Sequence, residues 1–260
     1  MKDTVKGSTV IIIGASSGIG RGVAEAVLTK DPAHLVVVSL NPEKNARVVA
    51  ELSELAPKTK ISGVLYDLTD DFIHGQAIVD LLAKIGVTKV NHLVYTATDP
   101  IHLTSVVDAD IIEATARASR RVFGPLRWIQ ALFKYDLMAK DYTSSVTLAS
   151  GTALHRPPKD WTFIAAGGGS AAVVVRALAA EFAPVRFNLV TPGLVRTELW
   201  GENIAICETL GAKLPLKHCA LPDEIAHIFL ALIENTYITG SEVIIDGGAL
   251  LDGSDHGIKP

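Results

Sequence analysis

Two groups of residues in this 260-residue chain have types and spacings that can do chemistry. The first is the loop "GASSGIG", where Gly14, Gly18 and Gly20 stand between an apolar run and a helical pattern, interleaved with Ser16, Ser17 and Ile19. Glycine at such a turn accepts positive φ and lets the backbone approach a diphosphate. The helix that follows offers free N–H groups and the positive end of its dipole. The second group is "SGTALHRPPKDWTF", which sets Ser150, His155, Arg156, Lys159, Asp160 and Trp161 in one connection after an apolar run. Asp160 can pair with a cationic nitrogen or hold a proton; equally, it can be a solvated loop carboxylate or a helix N-cap. Trp161 can stack on a flat or cationic substrate, or seal a sheet edge. His155 reads as a surface residue. Cys207 and Cys219 have no His or Cys at zinc-finger spacing, so no metal site is expected and both read as reduced thiols of an intracellular protein.

The elements that position these groups alternate almost from end to end. "TVIIIG", "HLVVVSL", "ISGVLYDL", "HLVYTA", "SSVTLAS", "RFNLVTP" and "SEVIIDG" read as strands, with helical patterns such as "GRGVAEAVLTK" and "PEKNARVVAELSEL" between the earlier ones. Continuous apolar strands separated by helices predict a parallel sheet covered on both faces. Right-handed crossovers then give a Rossmann-like, doubly wound, three-layer α/β/α fold. With no linker, repeat or low-complexity tract, residues 1–260 read as a single domain, with 251–260 as a flexible tail. The segment 170–183, "SAAVVVRALAAEFA", is apolar around most of its circumference, which predicts burial inside the monomer or against another subunit.

Composition excludes several classes. A net charge of −4 with 48% hydrophobic residues shows no basic patch for nucleic acid and no Lys/Arg block for an anionic membrane. No signal peptide and no eighteen-residue uninterrupted apolar run is present. The expectation is a soluble, cytoplasmic protein whose partner is a small-molecule substrate.

The glycine spacing G-x-x-x-G-x-G resembles that of the short-chain dehydrogenase/reductase family, and the resemblance runs through some 240 residues. "YDLTD" is similar to the segment after the third strand, which implies adenine contacts for Asp67 and Leu68. "HLVYTATD", with Thr96 and Ala97, stands at the family's N-N-A-G motif, of which only Ala97 matches. "NLVTPGLVRTEL" resembles the P-G motif; it implies cofactor contacts for Pro192, Gly193 and Val195 and a nicotinamide contact for Thr197. An acid at the end of the second strand would bind a ribose diol and repel a 2′-phosphate. "SLNPEKN" has none, and Ser16, Ser39, Asn41 and Lys44 can surround a phosphate, so the cofactor expected is NADP(H). Lys44 can also be no more than a solvated lysine at a helix start.

The resemblance also implies a catalytic Ser, a Tyr with a Lys four residues after it, and an Asn on an earlier helix. Only the serine is present, as Ser150. Ungapped alignment of "RALAAEF" puts Ile164 at the tyrosine position and Gly168 at the lysine position; a shift of one gives Phe163 and Gly167. The asparagine position holds Arg121, which can supply the lost positive charge near the ribose or form a surface ion pair. Within the family, "TLASGTALHRPPKDW" and its neighbours are most similar to divergent fungal members that lack the tyrosine and lysine. These include NADPH-dependent reductase/Diels–Alderases of bridged indole alkaloid biosynthesis. That similarity implies hydride transfer to a pre-activated, iminium-like acceptor, coupled or not to cyclisation, with Asp160, Trp161, Ser150 and Arg121 as the catalytic group. A non-redox isomerase or cyclase and a catalytically silent dinucleotide-binding protein remain open beside it. Family members pair through the helices corresponding to Arg121–Leu132 and 170–183, which implies a homodimer or homotetramer.

Overall fold

The computed structural model describes residues 3–67 and 75–251. Seven parallel strands form one sheet in the order β3-β2-β1-β4-β5-β6-β7. They are β1 (Thr9–Ile13), β2 (His34–Ser39), β3 (Lys60–Leu65), β4 (His92–Tyr95), β5 (Ser145–Ala149), β6 (Arg186–Pro192) and β7 (Ser241–Ile245). Each lies within a run that the sequence marks as a strand. The inner strands β2, β4 and β6 are buried at every position, because helices cover both faces and leave no solvated side to alternate toward.

One face carries α1 (Gly18–Leu28), α2 (Pro42–Leu55) and α8 (Pro222–Glu234), whose Val23, Val27, Leu52, Ile225 and Phe229 pack on Val10, Ile12, Leu35 and Val37. The opposite face carries α3 (Gly75–Lys84), α4 (Ile111–Lys134) and α6 (Ala171–Glu181), with Trp128, Leu132, Val175 and Phe187 at its centre. Two shorter helices, α5 (Thr162–Gly168) and α7 (Ile204–Gly211), belong to the connections at the carboxyl end of the sheet. The chain reverses direction in strand order between β1 and β4, the place where open α/β sheets leave a ligand crevice.

At the opposite end of the sheet, two charged or titratable side chains are buried with their hydrogen-bonding groups engaged. The Arg186 guanidinium donates to the carbonyls of Tyr142, Thr143, Leu232, Ile233 and Asn235, so a cation closes the carboxyl end of α8. Burial lowers its pKa to about 10. His92, fully enclosed, donates from Nε2 to the Thr4 carbonyl and accepts at Nδ1 from the Ser145 hydroxyl, both at 2.9 Å. That pattern fixes the neutral ring, and burial depresses its pKa to about 4.

Two expectations are corrected. Cys207 and Cys219 are joined in a disulfide, not held as free thiols. The chain returns past α7 so closely that Gly211 lies against the Cys219 backbone, which brings the two cysteines to a Cα separation of 6.2 Å. The thiol argument for an intracellular location goes with that reading. The apolar segment after Gly169 is not buried inside the monomer either: α6 buries only Val175 and Leu178, and Val173 is exposed. Taken by length and mean hydropathy alone, Thr162–Glu181 would suffice to cross a membrane. Here it is divided between α5 and α6 and packed along the sheet.

Candidate active site

The glycine loop is built by close approach. Gly14 (φ +92°) lies so near β4 that a Cβ there would be 2.7 Å from the Ala97 nitrogen and 2.9 Å from the Thr96 hydroxyl. A Cβ on Gly20 would run into the Gly14 carbonyl and the Thr96 hydroxyl. Thr96 itself donates to the Ile13 carbonyl at 3.0 Å. Thr96 and Ala97 therefore wall the loop from below, a role that their poor match to the N-N-A-G motif conceals. Ser17 occupies the N-cap of α1 in extended conformation, yet its side chain makes no capping bond. The first N–H groups of α1 are thus left to an anion, and the residues present fit a dinucleotide diphosphate.

Gly18 (φ +52°) faces the far side of the crevice, where a Cβ would be 3.2 Å from the Thr197 methyl. Thr197 begins the 3-10 stretch Glu198–Asn203 without using its side chain as a cap. Gly193 is pressed on the Asp246 backbone after β7, with a built Cβ at 2.7 Å. The excursion from β6 is closed at its base by a bridge between Val195 and Ala220, and the Trp200 indole donates to the Val195 carbonyl at 2.9 Å. Thr197 therefore stands opposite Gly18, and Pro192, Gly193 and Val195 lead to it along the same excursion. Asp67 directly follows β3 and Tyr66, and Leu68 lies outside the described residues.

Part of the expected phosphate subsite is tied into the fold at the end of β2. Asn41 is the N-cap of α2, its Oδ1 accepting from the Lys44 N–H at 2.8 Å. Ser39 is buried and accepts from the Asn45 amide at 2.9 Å. Asn45 ties β2 to β3 by further bonds to the Val37 and Val64 carbonyls. The cap takes the Asn41 Oδ1 and the strand clamp takes a lone pair of Ser39, so the Asn41 amide N–H groups, Ser16 and the exposed Lys44 remain to meet a phosphate.

The tyrosine and lysine are absent from the sequence, and their space is also filled. Ile164 is 7% exposed and directed inward. A Cβ on Gly167 would lie 2.5 Å from the Ala118 carbonyl, so α5 rides on the α4 backbone with no room for a side chain. A Cβ on Gly168 would be 2.6 Å from Leu154 Cδ1: a leucine occupies the start of the path a lysine stem would take. Sequence reasoning missed Leu154, because nothing local distinguishes a loop leucine from one that fills a vacated site.

Ser150 extends the β5 ladder by donating its N–H to the Val190 carbonyl at 2.9 Å, which holds it at the carboxyl end of the sheet. Asp160 lines an open cleft of about 560 Å³ between Ser105 and Val106 on one side and Pro157–Asp160, Thr162 and Ala165 on the other. It adopts left-handed φ (+67°), and its carbonyl accepts from the Thr104 N–H at 3.3 Å. The N-cap of α5 is Trp161, so the cap reading of Asp160 is excluded. Trp161 is not part of the cleft wall, and its enclosed indole N–H has no partner among the described residues. Ser150 is likewise absent from that wall. Arg121 is engaged by the connection after β4. Its guanidinium donates to the Thr98 hydroxyl (2.5 Å) and the Asp99 carbonyl (2.9 Å), and so clasps the connection after β4. Burial lowers its pKa. Asp99, 8% exposed, is held from the other side by Arg120 at 3.4 Å. His155 is exposed, as its surface reading predicts, and pairs with Glu242 at 2.7 Å; the Thr191 hydroxyl donates to the same oxygen.

The chain matches the SDR-like Rossmann domain over residues 2–252. It belongs to the short-chain dehydrogenase/reductase family. This fold binds nicotinamide dinucleotides. The short-chain dehydrogenase/reductase ucsE of Acremonium sp is 30% identical over 263 residues, covering 96% of this chain and 97% of that one. Similarity to the short-chain dehydrogenase/reductase malC of Malbranchea aurantiaca is 27% over 259 residues, with 96% and 97% covered. Among solved structures, the MalC reductase/Diels–Alderase from the same organism superposes with a TM-score of 0.88, covering 96% of this chain and 99% of that one.

Proposed function

We propose that this chain is an NADP(H)-dependent reductase of natural-product biosynthesis that delivers hydride to a pre-activated, iminium-like carbon. The observation that carries this reading is the filled place of the tyrosine and lysine, against an intact glycine loop and P-G segment. When bound, the cofactor supplies the hydride. The chain's own residues hold the diphosphate at the α1 N-terminus and support the nicotinamide side with Thr197. An iminium carbon accepts hydride and becomes a neutral amine, so no proton donor is required at that step. Asp160 at the cleft supplies the counter-charge that positions such a cation. Too strong an attraction would slow hydride attack, which discharges the substrate, so its contribution is orientation. The fungal relatives, including a reductase/Diels–Alderase, favour a secondary-metabolite substrate.

The preference for NADP(H) over NAD(H) rests on the absence of an acid after β2, where exposed Leu40 and Asn41 stand instead. A non-redox cyclase in the same cleft is the second reading, favoured by the similarity to a reductase that is also a Diels–Alderase. The deciding experiment offers the chain NADPH with cyclic iminium salts and with ketones of matched shape, following cofactor absorbance and product mass. Rapid NADPH oxidation and an amine product one hydride heavier than the iminium cation, with the iminium salts alone, support the reductase. Equal reduction of ketones refutes the mechanism, and an isomeric product without NADPH oxidation transfers the assignment to the cyclase. The exposed apolar face of α6 is the surface proposed for pairing two copies; a stable monomer in light scattering at micromolar concentration overturns that pairing.

A further inference from the structure

The loss of the lysine leaves the nicotinamide-side ribose without its family partner, and α5 offers no substitute. Tyr95, however, stands at the end of β4, in register with Ile13 of β1 and Leu148 of β5. Side chains along a strand alternate, so Tyr95 shares its sheet face with Leu148 and with Ser150, two residues farther along the same ladder. The next two residues, Thr96 and Ala97, are the ones packed beneath Gly14. Tyr95 therefore lies one strand from the glycine loop and one strand from Ser150, along the line a dinucleotide takes across the sheet end.

The phenol is 6% exposed and reaches α4 at Gly124, where a Cβ would be 2.5 Å from its oxygen. Gly124 makes the room that the hydroxyl uses. No described group hydrogen-bonds to that hydroxyl, and it is not among the fully enclosed unpartnered side-chain atoms, so it retains contact with its surroundings outside the core. Burial raises its pKa above the ordinary phenol value, so it keeps its proton and serves as a donor across the working pH range.

We propose that the Tyr95 hydroxyl donates a hydrogen bond to the nicotinamide-side ribose of the bound dinucleotide, replacing a family contact from the other side of the crevice. The inference rests on the cofactor reading above. Its test is Tyr95→Phe, which keeps the ring and removes the oxygen, titrated with NADPH and with adenosine 2′,5′-bisphosphate, a probe that lacks the nicotinamide half. One hydrogen bond of ordinary strength predicts a rise of about 5- to 10-fold in the NADPH Kd, with the bisphosphate unchanged. Gly124→Ala, whose methyl would displace the hydroxyl, should reproduce that pattern. Equal NADPH affinity in Tyr95→Phe and wild type, or equal weakening of both ligands, overturns the assignment. Failure of the wild-type chain to bind NADPH while the bisphosphate binds sinks the cofactor reading instead.

Discussion

Acidification should destabilise this protein through His92 before most carboxylates titrate. The ring is enclosed, its two nitrogens are matched to a carbonyl and a hydroxyl, and its folded pKa is depressed to about 4 from 6.5. A depressed folded value means that the neutral ring contributes its full stability above the unfolded pKa, and that this is lost as pH falls toward the folded one. Between those values the unfolded chain binds a proton that the folded chain refuses. Stability then falls by about 1.4 kcal/mol per pH unit, roughly 2 kcal/mol by pH 5 and about 3 kcal/mol in all. Urea unfolding of wild type and His92→Gln at about pH 7, 6 and 5 isolates the effect, since carboxylate titration is common to both chains. The variant will be less stable at neutral pH, and the gap should close by about 2 kcal/mol as pH drops to 5. A gap that stays constant, or that widens on acidification, would refute the reasoning.

Other outcomes follow from the same geometry. Arg186→Met leaves five carbonyls, three at the end of α8 and two before β5, without their donor and should cost about 3–5 kcal/mol, read from urea midpoints. Gly18→Val places a branched side chain at positive φ beside Thr197; NADPH affinity should drop at least about 100-fold, with circular dichroism unchanged. Asp160→Asn retains a residue tolerant of left-handed φ and removes the charge, so turnover with a cationic substrate should fall about 10-fold while NADPH affinity holds. Silence of Asp160→Asn would move the substrate site away from the Asp160 cleft.

The strands, their order in the chain and the glycine loop could be read from the sequence because each is written locally. Short apolar runs, such as Val10–Ile13 or Leu35–Val38, hold their character whatever packs on them, and a glycine loop between strand and helix has few other uses. The absence of the tyrosine and lysine was equally legible, since neither register of the segment, Ile164 with Gly168 or Phe163 with Gly167, supplies them. Tertiary structure alone decided the rest. Ser39 and Asn41 are polar groups at the expected place, but Asn45 and the α2 start claim them, and those bonds depend on how β2, β3 and α2 meet. Arg121 was legible as a cation yet not as a clasp on Asp99 and Thr98, because its partners are some twenty residues away across the crevice. Cys207 and Cys219 are 12 residues apart in sequence, and only the fold of the excursion brings them into bonding distance. Periodicity constrains which face a residue takes. What meets it there is set by contacts distant in sequence, and single-chain patterns do not encode those.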